Sequence, residues 1–201
     1  SIIDHLPEKF GTYYEPFLGS GALFFLLEPR HAVLADLCGP LVKTYGSLRD
    51  NPSAVLKWLQ PLKPDRETYY SVRSSPSDGR FKRAAEFIYL NKTCWNGLYR
   101  VNQKGQFNVP FGRPKSANIA EAENIRACAA RLAEPNVAIR HDDFEDVLKS
   151  AGAGDLVFLD PPYVVGHTNN GFRDYNEVLF TWRDQERLAS VASSLRSRGA
   201  T

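Results

Sequence analysis

The 201-residue chain has no methionine, only three cysteines and no long apolar run. Cys38, Cys94 and Cys128 are odd in number, far apart and without CxxC spacing, which argues against a zinc site or a disulfide framework. The four histidines are dispersed and supply no metal-ligand cluster. The longest apolar runs, such as Phe24 to Leu27, are too short to span a bilayer, and no basic, apolar leader opens the chain. These absences predict a cytoplasmic protein with reduced thiols, no bound metal and no membrane partner.

The composition is that of a folded globular domain, and its charge is unevenly distributed. Hydrophobic residues make up 43% of the chain and charged residues 24%, and 201 residues suffice for one domain with an insertion. Between Arg80 and Lys115 there are eight basic residues against a single acid, Glu86, although the net charge is only +2. A solvated face is one interpretation of this stretch. The aromatic residues interleaved with it favour a nucleic-acid surface, namely Trp95, Tyr99, Phe107 and Phe111.

Strand and helix patterns alternate along most of the chain and predict a mainly parallel, doubly wound α/β sheet. The predicted strands are Thr12–Phe17, Ala32–Ala35, Val137–Ile139 and Asp155–Leu159. Residues from about 40 to 120 break this alternation with helices and a hairpin, so we interpret them as an insertion between segments 1–39 and 121–201. Because position 1 is not methionine and the chain ends directly after the last predicted helix, we expect it to be truncated at both ends.

Polar residues or glycines follow each of the four predicted strands. In open α/β sheets, ligands bind outside the carboxyl ends of the strands. Gly19, Asp36, Asp143 and Asp160 would all lie at that edge. The sequence therefore predicts one crevice that these four positions share.

The turn Gly19-Ser20-Gly21 follows the first predicted strand and favours an adenosine-bearing cofactor. Glycines at such a turn let a ligand approach the backbone, and an acid after the next strand can hold ribose hydroxyls. Asp36 lies 17 residues after Gly19, close to the separation expected for that acid. The motif lacks the third glycine of the dinucleotide fingerprint, so a purely structural tight turn is the alternative.

The sequence FLDPPYVV, residues 158–165, places an acid and two prolines where the last predicted strand ends. An exocyclic amino group on a base is a poor nucleophile because its lone pair is delocalised into the ring. The Asp160 carboxylate and the Pro161 carbonyl can both accept hydrogen bonds from the N–H groups of such an amine, and Tyr163 can stack on the base. Prolines fix the backbone and so hold these acceptors in place. The alternative is an ordinary strand exit closed by a turn.

Taken in order, the segments EPFLGSG, LADL, NGLYRVNQKGQFNVPFG and FLDPPY resemble the Dam-type DNA adenine-N6 methyltransferases. The resemblance implies a Rossmann-like fold that uses S-adenosyl-L-methionine, with catalytic parts at 1–39 and 121–201 and a mainly helical target-recognition domain at 40–120. Double-stranded DNA would be the substrate, with the target adenine flipped out of the helix. The implied catalytic residues are Asp160, Pro161, Pro162 and Tyr163. The implied cofactor-binding residues are Glu15, Pro16, Phe17, Gly19, Ser20, Gly21, Asp36, Asp143, Phe144 and Asp160. For Asp143, and for its neighbour Asp142, a helix N-cap is the alternative.

The same resemblance assigns sequence recognition to the predicted hairpin and implies GATC as the preferred site. Trp95 would wedge into the duplex and Asn96 would fill the space left by the base. Leu98 and Arg100 would read the third base pair, and Pro110 would contact a thymine methyl group. The residues that would contact phosphates are Lys92, Asn102 and Arg113. The alternative is a structural hairpin whose aromatic residues belong to a core.

Two other functions share some of these features. Related enzymes methylate a protein amide or an RNA base, but they usually carry Asn where Asp160 stands and lack the basic, aromatic hairpin. A catalytically silent DNA-binding relative is the second alternative, and the intact Asp160-Pro161-Pro162-Tyr163 run argues against it.

Overall fold

In the part of the chain that the structure describes, the strands form one four-stranded parallel sheet. The computed structural model describes residue 4 and residues 6–114, 118–162 and 180–201. The strands are β1 (Tyr13–Glu15), β2 (Ala32–Ala35), β3 (Val137–Arg140) and β4 (Leu156–Val157). They pair in parallel in the order β3-β2-β1-β4, so β1 lies between β2 and β4. The predicted parallel α/β fold is confirmed.

The first and last strands are shorter than the sequence predicts. The residue after β1 is Pro16, which has no backbone N–H to donate to a ladder. Asp155 lies before β4 because its side chain turns back to the backbone. Its two carboxylate oxygens accept hydrogen bonds from the amides of Thr12, at 2.8 Å, and Gly152, at 3.0 Å. Beyond β4, the amide of Phe158 still donates to the Tyr14 carbonyl at 2.9 Å. This bond keeps the chain beside β1 as it approaches Asp160.

Eight α-helices connect and follow the strands in the described part of the chain. They are α1 (Ala22–Leu27), α2 (Gly39–Asp50), α3 (Pro52–Leu59), α4 (Arg66–Ser74), α5 (Arg80–Thr93), α6 (Ala122–Leu132), α7 (Phe144–Leu148) and α8 (Trp182–Ser197). Asn51 stands directly before Pro52, a pattern typical of a helix N-cap, and it caps α3 by accepting from the Ala54 amide at 2.9 Å. Thr181 and Asp184 form a capping box at the start of α8.

The described residues divide into two compact units. One comprises those of Ser1–Val42, Glu134–Val164 and Phe180–Thr201, and it contains the sheet. Its core includes a buried cluster of Tyr14, Ala35, Val147, Leu148, Ala151 and Leu195. The other comprises Lys43–Ala133 and has a core of its own, in which Val55, Leu59, Tyr69 and Tyr89 are at most 1% exposed. Helix α6 falls in this second unit, while the functions assigned to segments 1–39, 40–120 and 121–201 stay predictions.

Candidate active site and DNA-recognition hairpin

The carboxyl ends of the four strands carry the residues that the sequence singles out. The loop from Pro16 to Gly21 follows β1, and Asp36 follows β2. Asp143 comes shortly after β3, and Asp160 comes shortly after β4. Since β1 pairs with both β2 and β4, the glycine loop lies between Asp36 on one side and Asp160 on the other. This is the edge at which parallel α/β sheets bind ligands.

The glycine loop has the backbone geometry of an open cradle. Gly19 and Gly21 have φ angles of +47° and +64°, in the left-handed region that glycine adopts without strain. A Cβ atom added to Gly19 would meet nothing within 4 Å, so a ligand could approach this backbone closely. The amides of Gly19 and Cys38 donate to the two carboxylate oxygens of Asp36, at 3.0 Å and 2.8 Å. Asp36 therefore holds a carboxylate beside the open face of the loop, an arrangement that suits the ribose of an adenosine.

Glu15 occupies the buried end of β1 and is 3% exposed. The Tyr13 hydroxyl donates to its Oε2 atom at 2.8 Å, and a backbone hydrogen bond links the carboxylate to Phe24 in α1. Burial, with a smaller contribution from the negative charge of Asp160, raises the pKa of Glu15 to about 7. Because its partners lie within the protein, Glu15 joins β1 to the helix that follows the glycine loop. The predicted direct contact between Glu15 and a cofactor stays a prediction.

Asp143 is held by an arginine that the sequence analysis did not identify. Arg187, on α8, donates to Asp143 Oδ1 at 2.6 Å, to Glu145 Oε2 at 2.7 Å and to Asp184 Oδ1 at 3.0 Å. These hydrogen bonds to carboxylates raise the pKa of Arg187. Asp143 also accepts from the Glu145 amide at 3.0 Å and is the N-cap of α7, so this alternative is confirmed. No local pattern connects Arg187 with a residue 44 positions earlier, and only the fold brings the two together.

Three phenylalanines cluster next to Asp143. The ring of Phe144 lies 5.4 Å from that of Phe17 and 6.2 Å from that of Phe180, and the Phe17 and Phe180 rings are 5.7 Å apart. The Arg187 guanidinium lies 4.8 Å from the centre of the Phe144 ring. Phe144 is only 2% exposed, whereas Phe17 and Phe180 are partly accessible. Within this cluster, the surface that remains accessible therefore belongs to Phe17 and Phe180.

Asp160 is exposed at the end of the segment that continues β4. Pro161 is half-buried and Pro162 is exposed, and the two prolines follow directly in the chain. Because β1 pairs with β4, Glu15 and Asp160 lie at the carboxyl ends of neighbouring strands, and the Asp160 charge adds to the raised pKa of Glu15. Tyr163, the fourth predicted catalytic residue, lies outside the described residues.

The predicted hairpin is present between residues 94 and 111. Isolated antiparallel bridges pair Cys94 with Phe111 and Val101 with Phe107. The side chain of Asn102 shapes the turn, because its Oδ1 atom accepts from the amides of Lys104 at 2.9 Å and Gln106 at 3.0 Å. Asn102 thus has a structural role in the hairpin, and its predicted phosphate contact stays a prediction.

The hairpin presents several of its predicted contact residues to solvent. Trp95 is 53% exposed and Leu98 is 44% exposed, and Asn96, with a φ of +53°, is exposed as well. The ring of Tyr99 also contacts the rings of Phe87, at 5.4 Å, and Phe107, at 5.8 Å, although Tyr99 is itself 38% exposed. The alternative of an aromatic core therefore does not describe Trp95 or Tyr99, both of which are exposed.

The return strand of the hairpin is anchored around Val109, which is 1% exposed. The Tyr69 hydroxyl and the Arg73 guanidinium both donate to the Val109 carbonyl, at 2.8 Å and 2.9 Å. The next residue, Pro110, is exposed, and its carbonyl accepts from the Trp95 amide at 2.9 Å. These bonds fix Pro110 beside Trp95, so the two predicted DNA contacts lie side by side.

The predicted phosphate-binding and base-reading cations differ in their surroundings. Lys92 is paired with Glu121 at 2.8 Å. Arg113 is exposed and has a φ of +54°. Arg100 donates from Nε to Asn108 Oδ1 at 2.7 Å.

In the described part of the chain, no three His, Cys, Asp or Glu side chains form a group that could hold a metal ion, and no helix there is long and apolar enough to cross a membrane.

A parallel α/β sheet with a glycine turn after its central strand and an acid after the next is the architecture of the Rossmann-like methyltransferases that use S-adenosylmethionine. The sequence model of the D12 class N6 adenine-specific DNA methyltransferases matches residues 1–201, and the chain belongs to this family. The predicted adenine-specific DNA methyltransferase activity is thereby confirmed as that of the family.

Characterised relatives are similar to the chain over nearly its whole length. The type II methyltransferase M1.LlaDCHI of Lactococcus lactis subsp. cremoris is 39% identical over 202 residues, which cover 96% of this chain and 71% of the relative. The type II methyltransferase M.MjaIII of Methanocaldococcus jannaschii is 36% identical, over 94% of this chain and 71% of the relative. The DNA adenine methylase of Escherichia coli (strain K12) is 33% identical, over 96% of this chain and 70% of the relative.

Proposed function

We propose that the protein transfers a methyl group from S-adenosylmethionine to N6 of an adenine flipped out of double-stranded DNA, with GATC as its preferred site. The observation that carries this proposal is the pairing of β1 with β4. The pairing brings an open glycine loop and the Asp160-Pro161 segment to the same edge of the sheet. A methyl donor held by the first and an amino group held by the second would meet there.

The loop after β1 and Asp36 would hold the cofactor, which supplies an activated methyl group when it is bound. The open backbone at Gly19, with Ser20 and Gly21, receives the adenosine, and the Asp36 carboxylate accepts hydrogen bonds from ribose hydroxyls. Phe17 offers an accessible ring for the adenine, while Asp143 is kept in position by Arg187. Glu15 and Phe144 are buried, and the direct cofactor contacts predicted for them stay predictions.

Asp160 and Pro161 would prepare the adenine amino group for transfer. The carboxylate and the carbonyl each accept a hydrogen bond from one of its two N–H groups. These hydrogen bonds draw the nitrogen out of conjugation with the ring. The carboxylate would also offset the positive charge that develops on N6 as the bond to the methyl carbon forms and the donor's carbon–sulfur bond breaks, and N6 would then release a proton to solvent. Pro161 and Pro162 restrict the backbone, so the acceptors need little reorganisation at the moment of reaction.

The hairpin would open the duplex and read its sequence. Trp95 and Asn96 are exposed and suit the wedge and the space-filling role. Arg100 can bond the O6 and N7 atoms of a guanine at the third base pair, with Leu98 beside it. Pro110 meets the thymine methyl group. Lys92, Asn102 and Arg113 contact phosphates, and Lys92 exchanges Glu121 for a phosphate when DNA binds.

Methylation mapping tests the proposed site. Unmethylated genomic DNA is treated with the protein and S-adenosylmethionine, and modified adenines are located by sequencing. We expect N6-methyladenine in GATC. A different consensus motif would contradict the recognition assigned to the hairpin, while leaving the chemistry of Asp160 intact.

A further inference from the structure

We propose that Asn108 is a positioning residue for sequence recognition, because it fixes the orientation in which the Arg100 guanidinium meets the DNA. This inference rests on the proposed function, in which Arg100 reads one base pair. It adds that discrimination at that base pair depends on a second side chain, one that need not touch a base itself.

Arg100 and Asn108 face each other across the hairpin. The Asn108 amide donates to the Arg100 carbonyl at 3.0 Å, next to the bridge between Val101 and Phe107. In return, Arg100 Nε donates to the Asn108 side-chain Oδ1 at 2.7 Å, and one terminal guanidinium nitrogen lies 3.4 Å from the Asn108 carbonyl. Two oxygens of a single residue thus hold one edge of the guanidinium.

This contact restricts how Arg100 can recognise a base. A guanidinium can present either an edge that includes Nε or the end formed by its two terminal nitrogens. Because Asn108 occupies the Nε edge, a guanine would be met by the terminal nitrogens. Arginine also has high rotamer entropy, which is lost when the side chain is ordered on a base. A guanidinium that the hairpin already orients loses less of it.

The hairpin offers variants that separate this role from others. Asn108→Ala removes the Oδ1 acceptor. It leaves the two hydrogen bonds that the backbone N–H and C=O of residue 108 make with Arg100. Asn108→Asp keeps an acceptor at the same place and strengthens it with charge. Gln103→Ala changes an exposed residue of the same turn and serves as the matched control.

The experiment measures kcat/KM on a duplex with the mapped methylation site and on duplexes substituted at each base pair in turn. The specificity ratio is kcat/KM on the cognate duplex divided by kcat/KM on a duplex substituted at one base pair. Arg100→Ala is expected to lower this ratio about 5- to 150-fold at a single base pair, as the loss of one bidentate base contact does. Asn108→Ala should lower the ratio at that same position by about tenfold within this range. Asn108→Asp and Gln103→Ala should keep it. In the Arg100→Ala background, Asn108→Ala should change the ratio no further.

Three results would overturn the inference. Asn108→Ala could lower kcat/KM equally on every duplex, as a phosphate contact or a collapsed hairpin would. It could also lower the ratio further in the Arg100→Ala background, which would show that it acts independently of Arg100. Finally, Arg100→Ala could relax one position while Asn108→Ala relaxes none. If Arg100→Ala relaxes no position, the base-reading role of Arg100 in the proposed function fails instead, and the inference falls with it.

Discussion

We propose that the Asp36 carboxylate serves both the fold and the cofactor. Its two oxygens accept the amides of Gly19 and Cys38, so it shapes the loop, and its carboxylate still borders the open backbone face of Gly19. A carboxylate oxygen has lone pairs for more than one donor. Ribose hydroxyls can therefore bind to it without displacing the loop.

Replacing Asp36 with alanine should weaken the binding of S-adenosylmethionine. Loss of a charged acceptor costs about 1–3 kcal/mol, equivalent to about a 5- to 150-fold rise in Kd. Titration calorimetry measures this directly, and Asp78→Ala, which removes an exposed acid elsewhere, is the control. An unchanged affinity in Asp36→Ala would remove Asp36 from the cofactor site.

Glu15 should make the stability of the fold depend on pH. Burial raises its pKa from 4.5 to about 7, so the folded protein keeps a proton that the unfolded chain releases. The free energy of unfolding contributed by this group therefore falls as the pH rises from about 4.5 to 7. Glu15→Gln keeps an oxygen acceptor for Tyr13 but cannot ionise. The free energy of unfolding of the variant minus that of wild type should therefore be larger at pH 8 than at pH 5.

Urea denaturation at the two pH values provides this comparison, with the exposed Glu123→Gln as the control. The control should follow the wild type at both values. The account of Glu15 is wrong if Glu15→Gln loses stability with pH as steeply as wild type does.

Local sequence predicted the residues whose roles depend on their neighbours in the chain. Asn51 precedes a proline and a helical pattern, and it is the N-cap that this spacing predicts. Arg187 and Asn108 could not be found in the same way. The partner of Arg187 is 44 positions away, and the bond between Asn108 and Arg100 requires the hairpin register, which sequence periodicity alone does not determine.

At the scale of elements, the hairpin depends on close backbone contacts around Gly112. Its amide donates to the Thr93 carbonyl at 2.8 Å, and the neighbouring residue Phe111 bridges to Cys94. A Cβ atom added to Gly112 would lie 2.2 Å from the Cys94 carbonyl oxygen, which is closer than atoms can approach. The sequence shows a glycine here, but only the paired backbone explains the need for one.

Gly112→Ala should therefore displace the return strand and weaken DNA binding while leaving the binding of S-adenosylmethionine in place. A fluorescent GATC duplex reports the first property and calorimetry the second. Gly152→Ala is the matched control, since a Cβ atom at Gly152 would meet nothing within 4 Å. Full DNA affinity in Gly112→Ala would show that the return strand is not needed for binding.

The element boundaries show where pattern-based prediction stops. Strands were predicted over Thr12–Phe17 and Asp155–Leu159, and the ladder is shorter in both cases. Side chains compete for the backbone donors at these ends, as Asp155 does for the amide of Thr12. Apolar patterning predicts which segments are buried, whereas such side-chain bonds decide where pairing begins and ends.

At the scale of the whole molecule, the order of motifs along the chain predicted the fold class and the family. The glycine loop and the Asp160-Pro161 segment are separated by more than a hundred residues, yet the pairing of β1 with β4 brings their strands together. The described residues form two compact units with separate cores. In our proposal, the unit that contains the sheet performs the transfer and the unit that contains the hairpin selects the site.

The role proposed for Asp160, the activation of an adenine amino group for methyl transfer, can be measured with a labelled methyl donor. Wild-type protein and Asp160→Ala are incubated with tritiated S-adenosylmethionine and an unmethylated GATC duplex, and the DNA is digested to nucleosides. We predict label in N6-methyladenine with wild type. With the variant we predict a loss of about 100-fold or more, as for other preorganised electrostatic groups. DNA binding should persist, because Asp160 is exposed. Turnover by Asp160→Ala within about tenfold of wild type would contradict the account, because no loss of the size expected for such a group would then be seen.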